Sequence, residues 1–216
     1  MDAITKGTCV RWFISDTHFG HFKCLEYGER PFQTVEEADE AMISRWNAVV
    51  GKDDMVFHLG DVSICSIEKT ANIMKQLNGC HTLILGNHDR SVSCMHRVGF
   101  SSVVESCHIR LGGFRVQLIH NPDFSDPGYC EYVLHGHVHQ KWKINGNWIN
   151  LSVEVWDYTP VSEVQLVKLI RRMHNGTIKE KSTYRKTSFN LNIGEIDASF
   201  NQDIDKFLNG FNQDRH

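Results

Sequence analysis

The sequence predicts an α/β protein built on mixed sheets, and two observations support that fold class. Six short apolar runs are rich in β-branched and aromatic residues and are bounded by Gly, Asn or Asp, which is the signature of strands. Amphipathic segments lie between several of these runs, and strands that alternate with helices are typical of α/β domains. The predicted strands are residues 10–14, 55–59, 82–85, 115–119, 132–134 and 148–151.

Three amphipathic segments are predicted to be helices. The first follows a capping box, in which the Thr34 hydroxyl accepts from a backbone amide while Glu37 reaches back, and it ends near Gly51. The second helix is predicted over residues 66–77 and the third over residues 162–176, because apolar residues recur there at helical spacing. Helices become fewer in the second half of the chain, so the sheets are expected to be mixed rather than fully parallel.

Length and pattern predict one domain followed by a tail. The chain has 216 residues, which suits a single domain of ordinary size. We assign residues 1–176 to that domain and residues 177–216 to a C-terminal tail. Within the tail, apolar residues at helical spacing over 196–211 predict a short terminal helix.

Composition narrows the classes of function. The formal net charge is -3, so no overall basic field indicates a nucleic-acid partner. The seven cysteines include no CxxC pair, which argues against a disulfide framework or a zinc ribbon and favours a reducing compartment. No apolar run approaches the roughly 18 residues of a membrane span, and the N-terminus lacks a signal-peptide pattern. We therefore expect a cytoplasmic protein that does not associate with membranes.

Side chains that can bind metal follow each of the first five predicted strands. Strand ends in α/β folds meet at one edge of the sheet, so these side chains can converge although they are far apart in sequence. Any one of these motifs is common by chance, whereas the ordered set at five strand ends is not. In chain order the motif residues are Asp16 and His18; Asp61; Asn87, His88 and Asp89; His120; and His137 and His139.

The donor set indicates which ions the site would take. Two carboxylates, one amide oxygen and four imidazoles are ligands of intermediate hardness, which suit Mn, Fe, Zn or Co better than Ca or Mg. Seven ligands are too many for one tetrahedral zinc site. They are about right for two metal ions that share a carboxylate. The sequence therefore predicts a centre of two divalent metal ions at the sheet edge.

These ordered motifs resemble those of the calcineurin-like metallophosphoesterases. The stretches "FISDTHFGH", "HLGDV", "LILGNHD" and "VEVWDYTPVS" are similar, more narrowly, to a small bacterial and phage branch of that superfamily. The resemblance covers roughly residues 10–170 and implies a four-layer α/β/β/α sandwich with the metal centre at its edge. It implies these assignments: Asp16, His18 and His139 on one metal, Asn87, His120 and His137 on the other, and Asp61 between them.

The resemblance also implies roles beside the metals. His88 would face the substrate as a catalytic residue, and Asp89 would orient the ring of His88. Three further side chains, His21, Arg30 and Arg90, are candidates for substrate contact, although an exposed surface position is the commoner explanation for each. Many relatives carry an acid or an asparagine where this chain has Ile64, a position outside the ligand set.

The favoured hypothesis is a phosphohydrolase that cleaves a phosphate ester, preferably a phosphodiester, by attack of a hydroxide that bridges two metal ions. Mn²⁺ or Fe is the expected metal, with Zn²⁺, Ni²⁺ and Co²⁺ as alternatives. The expected partner is a phosphate-ester substrate such as a nucleotide.

Two other hypotheses stay open. A nuclease of the same superfamily would need a basic surface, which the net charge does not support. A non-catalytic metal-binding scaffold would be expected to have lost ligands or His88, and this chain has them all.

Overall fold

Two five-stranded mixed sheets and five helices make up the part of the chain that the computed structural model describes, which is residues 9–27, 29–126 and 128–178. The strands are β1 Arg11–Ile14, β2 Met55–His58, β3 Cys80–Ile84, β4 Ser102–Val104, β5 Ser106–Leu111, β6 Phe114–Ile119, β7 Tyr132–His135, β8 Ile144–Asn145, β9 Trp148–Asn150 and β10 Val161–Ser162. The helices are α1 Phe22–Tyr27, α2 Val35–Val49, α3 Ile67–Met74, α4 Val92–Val98 and α5 Glu163–His174.

The first sheet has the order β10-β1-β2-β3-β4, in which only the β10–β1 pair is antiparallel. The second sheet has the order β5-β6-β7-β9-β8, with a parallel centre and antiparallel pairs at both edges. All six strands predicted from the sequence are present. Four others, β4, β5, β8 and β10, were not predicted, because they are short or exposed and lack a continuous apolar run.

Alternation of side chains along the first sheet divides the core in two. Phe13 and Phe57 face the second sheet and pack with Leu118 and Leu134. Their neighbours along the strands pack on the other side against the helices, where Trp46 of α2 is almost fully buried. A period of two residues places successive side chains on opposite faces of a strand. Helices α2, α3 and α4 therefore cover one face of the first sheet, and the second sheet covers the other.

The remaining face of the second sheet is covered by irregular segments. The side-chain oxygen of Gln117 on β6 accepts from the backbone amide of Asp126, 2.9 Å away. The ring of His135 on β7 packs on that of Trp142, with 4.7 Å between the ring centres. Helix α5 contacts β1, β10 and β5 and adds Ile170 to the core between the sheets. The α/β fold class and its mixed sheets are confirmed, and 3-10 turns provide part of the outermost layer.

Helices α2 and α5 begin at the capping residues that the sequence predicted, but one capping hydrogen bond has a different partner. Thr34 caps α2 by accepting from the amide of Glu37, but Glu37 accepts from the amide of Gln33 rather than from that of Thr34. Ser162 and Gln165 form a complete capping box at α5. Helices α1 and α4 were not predicted, since six or seven residues are too few to show a helical period.

The described residues end at residue 178, close to the predicted domain boundary after residue 176. Helix α5 stops at His174, and the predicted tail with its helix over 196–211 lies outside the described residues, apart from residues 177 and 178. Among the helices that are described, none combines the length and the apolar character needed to cross a membrane.

Candidate metal centre and active site

Backbone hydrogen bonds join the loops that follow the strands. The amide of Asp16, after β1, donates to the carbonyl of Gly60, after β2, at 3.0 Å. The amide of His18 donates to the carbonyl of Asp61 at 3.0 Å. The amide of Gly136, after β7, donates to the carbonyl of His120, after β6, at 3.0 Å. The amide of Ser15, after β1 of the first sheet, donates to the carbonyl of Leu151, after β9 of the second sheet, at 2.9 Å. The strand ends of both sheets thus meet, as the sequence predicted.

The backbone is strained where the site residues lie. A left-handed conformation is uncommon outside glycine and costs on the order of 1–3 kcal/mol, so it persists where the surroundings enforce it. Five of the seven predicted metal ligands adopt it. Their φ angles are 57° for Asp16, 47° for His18, 59° for Asp61, 72° for His137 and 48° for His139. Strain concentrated in this way is typical of a site whose side chains must point in fixed directions.

Two glycines allow the loops to approach. A Cβ atom at Gly86 would lie 2.2 Å from Oδ1 of Asp61, and one at Gly136 would lie 1.9 Å from Oγ of Ser15 and 2.4 Å from Oδ2 of Asp16. No side chain fits at these separations. The glycines of the GNHD and GHVH motifs therefore leave the space in which the carboxylates of Asp61 and Asp16 sit.

Asp16, His18 and His139 form what we call the first ligand group. Nε2 of His139 lies 3.9 Å from Oδ1 of Asp16, and the rings of His18 and His139 stack with their centres 5.2 Å apart. Nε2 of His18 lies 3.4 Å from Oδ2 of Asp61. One nitrogen or oxygen from each of Asp16, His18 and His139 lies within 4.8 Å of the others. Such a group can hold one cation.

Asn87, His120 and His137 form the second ligand group. Oδ1 of Asn87 lies 3.0 Å from Nε2 of His120 and 2.8 Å from Nδ1 of His137. Nε2 of His120 lies 3.5 Å from Oδ2 of Asp61. The same oxygen of Asp61 therefore faces His18 of the first group and His120 of the second, as expected for a shared carboxylate.

The contacts of His120 favour positive charge in the second ligand group. Nδ1 of His120 lies 2.7 Å from the carbonyl oxygen of Leu59, which can only accept, so that nitrogen carries a proton. Nε2 faces two further acceptors, the oxygens of Asn87 and Asp61, and must then be protonated too. Burial lowers the pKa of His120, but the hydrogen bond to Asp61 and the charges of Asp16 and Asp61 outweigh it and raise this pKa to about 9. A divalent cation would supply the charge that this proton supplies.

The low pKa of Asp61 and the unpaired ring nitrogens of His18 also favour a bound cation. Burial raises the pKa of Asp61, but the neighbouring rings of His120 and His18 outweigh it and hold this pKa well below its usual range, so Asp61 is a carboxylate. His18 is buried, and neither of its ring nitrogens has a hydrogen-bond partner among the described residues. Buried polar atoms are nearly always paired. The unpaired nitrogens fit a site that completes itself by binding metal.

A buried ion pair fixes the ring of His139. Nδ1 of His139 lies 3.0 Å from Oε1 of Glu154 and therefore carries the proton, which leaves Nε2 free to bind metal. The same oxygen accepts from Nε and Nη2 of Arg30 at 3.1 and 2.8 Å. Burial raises the pKa of Glu154, but His139 and Arg30 outweigh it and lower this pKa to about 2. Glu154 is thus a charged second partner of His139, a predicted metal ligand.

Arg30 was predicted to contact substrate or to lie at the surface, and the structure corrects the surface position because Arg30 is buried. Its side chain is 2% exposed, and its guanidinium donates to the carbonyl oxygens of Thr17 and Asp16 at 2.8 and 2.7 Å as well as to Glu154. Four of its five N–H groups donate to protein acceptors. Arg30 therefore ties the loop of the first ligand group to Glu154.

Asp89 also has partners other than the one expected. Its carboxylate accepts from the backbone amides of Gly86, Asp61 and Val62 at 2.8 to 2.9 Å. Both oxygens bind backbone amides, so these contacts do not include the His88 ring that Asp89 was expected to orient. Asp89 holds the loops of Asn87 and Asp61 together.

Three other residues were predicted to act on the substrate, and two of them lie beside the first ligand group. His88 is exposed, and its ring centre lies 5.3 Å from that of His18. His21 is partly buried, with its ring centre also 5.3 Å from that of His18. Arg90 is exposed and donates to the carbonyl of Cys65 at 3.2 Å. Of the three, His88 and His21 adjoin the centre.

The end of β9 adds residues that the sequence analysis missed. Oγ of Ser152 lies 2.7 Å from Oδ2 of Asp16, and the side-chain amide of Asn150 donates to the carbonyl oxygens of His139 and Trp142 at 2.6 Å. Together with Glu154 these residues occupy alternate positions, 150, 152 and 154. The sequence could have indicated these three residues, because they are polar residues at every second position at the end of a predicted strand.

A cavity of about 480 Å³ opens beside the second ligand group. Phe124 is 77% exposed at its wall, and Glu105, exposed between β4 and β5, adds a carboxylate. The cavity is lined by Leu85, Gly86, Asn87, Glu105, Ser106, Ile119, His120, Asn121, Phe124 and His137. It joins apolar surface, one negative charge and the edge of the candidate metal centre.

Comparison with known proteins agrees with the geometry. The sequence model of the calcineurin-like phosphoesterase family matches residues 11–210. An uncharacterized protein of Methanocaldococcus jannaschii is 36% identical over 171 residues, which are 74% of this chain and 91% of that protein. The Gene 66 protein of Mycobacterium phage L5 is 27% identical over 198 residues, covering 76% of this chain and 95% of that protein.

A solved structure has the same fold. The crystal structure of a protein of unknown function from Aquifex aeolicus superposes with a TM-score of 0.62 and 28% sequence identity, over 74% of this chain and 99% of that one. The family resemblance inferred from the motifs is confirmed, and a phage protein among the relatives is consistent with the branch that the motifs indicated. This chain belongs to the calcineurin-like phosphoesterase family, whose members use divalent metal ions.

Proposed function

We propose that this chain hydrolyses phosphodiesters at a centre of two divalent metal ions. The observation that carries the proposal is the arrangement around Asp61, whose Oδ2 lies 3.4 Å from Nε2 of His18 and 3.5 Å from Nε2 of His120. The first ligand group would hold one ion, the second ligand group the other, and Asp61 would be shared. When bound, two such ions act as Lewis acids that neutralise phosphoryl oxygens and lower the pKa of water. Mn²⁺ or Fe suits the mixed oxygen and nitrogen donors best, with Zn²⁺, Ni²⁺ and Co²⁺ as alternatives.

The chain's own groups hold Asp61 in place for this role. The backbone amide of His88 donates to Oδ1 of Asp61 at 2.9 Å, which leaves Oδ2 between the two ligand groups. The carboxylate of Asp89 accepts from the backbone amide of Asp61 at 2.9 Å. Fixed donors of this kind remove the need to reorganise the site during reaction.

His88 is the proposed acid. Its ring is exposed and lies beside His18, where a phosphate group held by the metal centre would present a leaving oxygen. An imidazolium there can stabilise charge on the phosphoryl group and protonate the departing alkoxide. His21 lies on the same side of His18 and is the proposed neighbour of the leaving group.

The cavity beside the second ligand group favours a diester. A diester carries two organic groups, and one can leave past His88 while the other stays in the cavity lined by Phe124 and Glu105. Phe124 offers a flat apolar surface to an aromatic ring, and Glu105 can only accept hydrogen bonds. A nucleoside whose base carries an amino group has both complementary features, so we propose a nucleotide diester as the substrate class.

The alternatives have weaker support. A nuclease must bind successive phosphates, and the carboxylate of Glu105 and the net charge of -3 both oppose a polyanion. A scaffold without catalysis has less need for five strained left-handed residues at one edge of the sheets, because such strain is typical of functional sites.

The test is hydrolysis of bis-p-nitrophenyl phosphate and p-nitrophenyl phosphate after metal is stripped and Mn²⁺, Ni²⁺, Zn²⁺ or Mg²⁺ is added back singly. We expect metal-dependent release, faster from the diester, that Asp61→Ala abolishes. Asp53→Ala, which removes an exposed carboxylate before β2, is the matched control and should retain activity. If no metal restores release to the protein, or if Asp61→Ala keeps the activity of Asp53→Ala, the proposal fails.

A further inference from the structure

Beyond this centre, a second cluster of metal-binding side chains adjoins His18. We propose that His18, His21 and Cys24 form a separate site for a thiophilic divalent cation, Zn²⁺ in particular. One ligand-capable atom from each of the three lies within 4.8 Å of the other two. The proposal depends on the position of His18 and on neither the substrate nor the reaction proposed above.

The cluster is built by the turn that starts α1. The backbone amide of Cys24 donates to the carbonyl of His21 at 3.2 Å, which places both side chains on the same side of the turn. Sγ of Cys24 lies 3.0 Å from Nδ1 of His21, and the ring centres of His21 and His18 are 5.3 Å apart. Cys24 is 8% exposed and His18 is 3% exposed, so the cluster is largely shielded from water.

His18 differs from two other histidines of the centre, His120 and His139, because it lacks a hydrogen-bonding second partner. In His120 and His139, one ring nitrogen faces the metal centre, and the other is bound by the Leu59 carbonyl or by Glu154. Metal-binding histidines usually have such a second partner. Neither nitrogen of His18 has a hydrogen-bond partner among the described residues, although the ring is buried. One metal in the first ligand group accounts for only one of these two nitrogens.

The donor types select the ion. One thiolate and two imidazoles form a soft and borderline set, which suits Zn²⁺ or Cd²⁺ and suits Mn²⁺ poorly. Three protein ligands are sufficient for a tetrahedral zinc site with one open position. When the bond between sulfur and metal forms, the thiol proton of Cys24 passes to solvent, and no oxidant or reductant is required.

The two sites exclude each other because they share His18. A neutral imidazole has one lone pair and serves one ion at a time. A thiophilic ion held by His21 and Cys24 would take His18 away from Asp16 and His139. We therefore expect Zn²⁺ to compete with the metal of the first ligand group through Cys24, a residue outside that group.

The experiment uses Cd²⁺ as the probe and follows the ultraviolet absorption band that arises when a thiolate binds cadmium. One equivalent of Cd²⁺ added to the metal-free wild-type chain should produce the band, and Cys24→Ser should lose it. Cys65→Ser is the matched control, because Cys65 lies in the adjoining loop with its thiol donating to the carbonyl of Phe19. Circular dichroism establishes that each variant is folded.

A second variant keeps the test decisive if Cys24→Ser does not fold. His21→Gln should retain the band but weaken Cd²⁺ affinity by at least about 10-fold, as expected for loss of a ligand. The site is disproved if Cd²⁺ binds without the band, if folded Cys24→Ser keeps the band, or if His21→Gln binds Cd²⁺ as tightly as the wild type. Mn²⁺-dependent hydrolysis of bis-p-nitrophenyl phosphate is measured separately on the wild type, so failure of the proposed activity is distinguishable from failure of this site.

Discussion

The two ligand groups are built in different ways. In the first group, Asp16 is fully buried, and His139 is held by Glu154, which is itself paired with Arg30. In the second group, His120 is buried against a backbone carbonyl, but Asn87 is exposed and His137 is partly so. The cavity opens on the second group and not on the first.

This difference indicates a division of labour within one site. A carboxylate can be buried only when it is paired, so the first group is surrounded by charged and hydrogen-bonding protein groups that fix it before any ligand arrives. The second group has fewer side-chain supports and faces open space. We infer that the first group sets the geometry of the centre and the second group meets the organic part of the substrate.

The largest expected effect comes from an exposed residue. His88→Ala should lower turnover of bis-p-nitrophenyl phosphate by about 10²–10⁴-fold, because the leaving oxygen loses its acid. Metal content and the free energy of unfolding should not change, since His88 is exposed. His96→Ala is the control, because His96 is another exposed histidine and lies on α4. Full activity in the His88 variant would remove this residue from the mechanism.

A buried residue should show the opposite behaviour, with its main effect on stability. Arg30→Ala leaves the Glu154 carboxylate buried without its partner and should lower the free energy of unfolding by about 3–5 kcal/mol. Arg115→Ala breaks an exposed pair with Glu131, and its effect should stay within about 0–1 kcal/mol. Urea unfolding of the metal-free proteins measures both. Equal losses in the two variants would show that the buried pair does not stabilise the first group.

Much of the site was accessible from the sequence because it lies at strand ends. All seven predicted ligands are brought to one edge of the two sheets, and the strands that carry them were recognisable as apolar runs followed by polar residues. Polar residues that follow parallel strands meet because the ends of those strands lie at one edge of the sheet. This inference does not require knowledge of the loops.

The supporting contacts could not be predicted in the same way. Arg30 and Glu154 are 124 residues apart in sequence, and neither follows a pattern that would pair them before the fold is known. Asp89 illustrates a second limit, since this carboxylate, next in sequence to the proposed catalytic residue His88, binds backbone amides. Sequence position shows which side chains lie at the strand ends, whereas the second partners of those side chains depend on tertiary packing.

The third prediction concerns the affinity of one metal ion. Glu154→Gln removes the charge behind His139, so the first group should bind Mn²⁺ about 10–100-fold more weakly. The second group should keep its affinity, and calorimetric titration should then resolve one weakened site and one unchanged site. Glu131→Gln serves as the surface control. If both ions weaken equally, the two groups do not differ in their support and the comparison between them is wrong.

The smallest expected effect is on the open side of the site. Stacking of a base on an aromatic side chain is worth about 1–3 kcal/mol, and the lower end applies to Phe124 because its ring is 77% exposed. Phe124→Ala should therefore lower kcat/KM for a nucleoside p-nitrophenyl phosphate diester by about 5–10-fold, with no change for methyl p-nitrophenyl phosphate. Tyr129→Ala, which removes another exposed ring in the same loop region, should leave both rates unchanged.

The ratio of kcat/KM for the two diesters shows which part of the substrate Phe124 contacts. Both diesters expel the same leaving group and differ only in the group that remains, so a change confined to the nucleoside substrate places that group against Phe124. An equal fall for both substrates would mean that Phe124 supports the second ligand group itself, through its contact with the cavity wall. In that case the exposure of Asn87 and His137 would not reflect substrate binding, and the inferred division of labour would have to be abandoned.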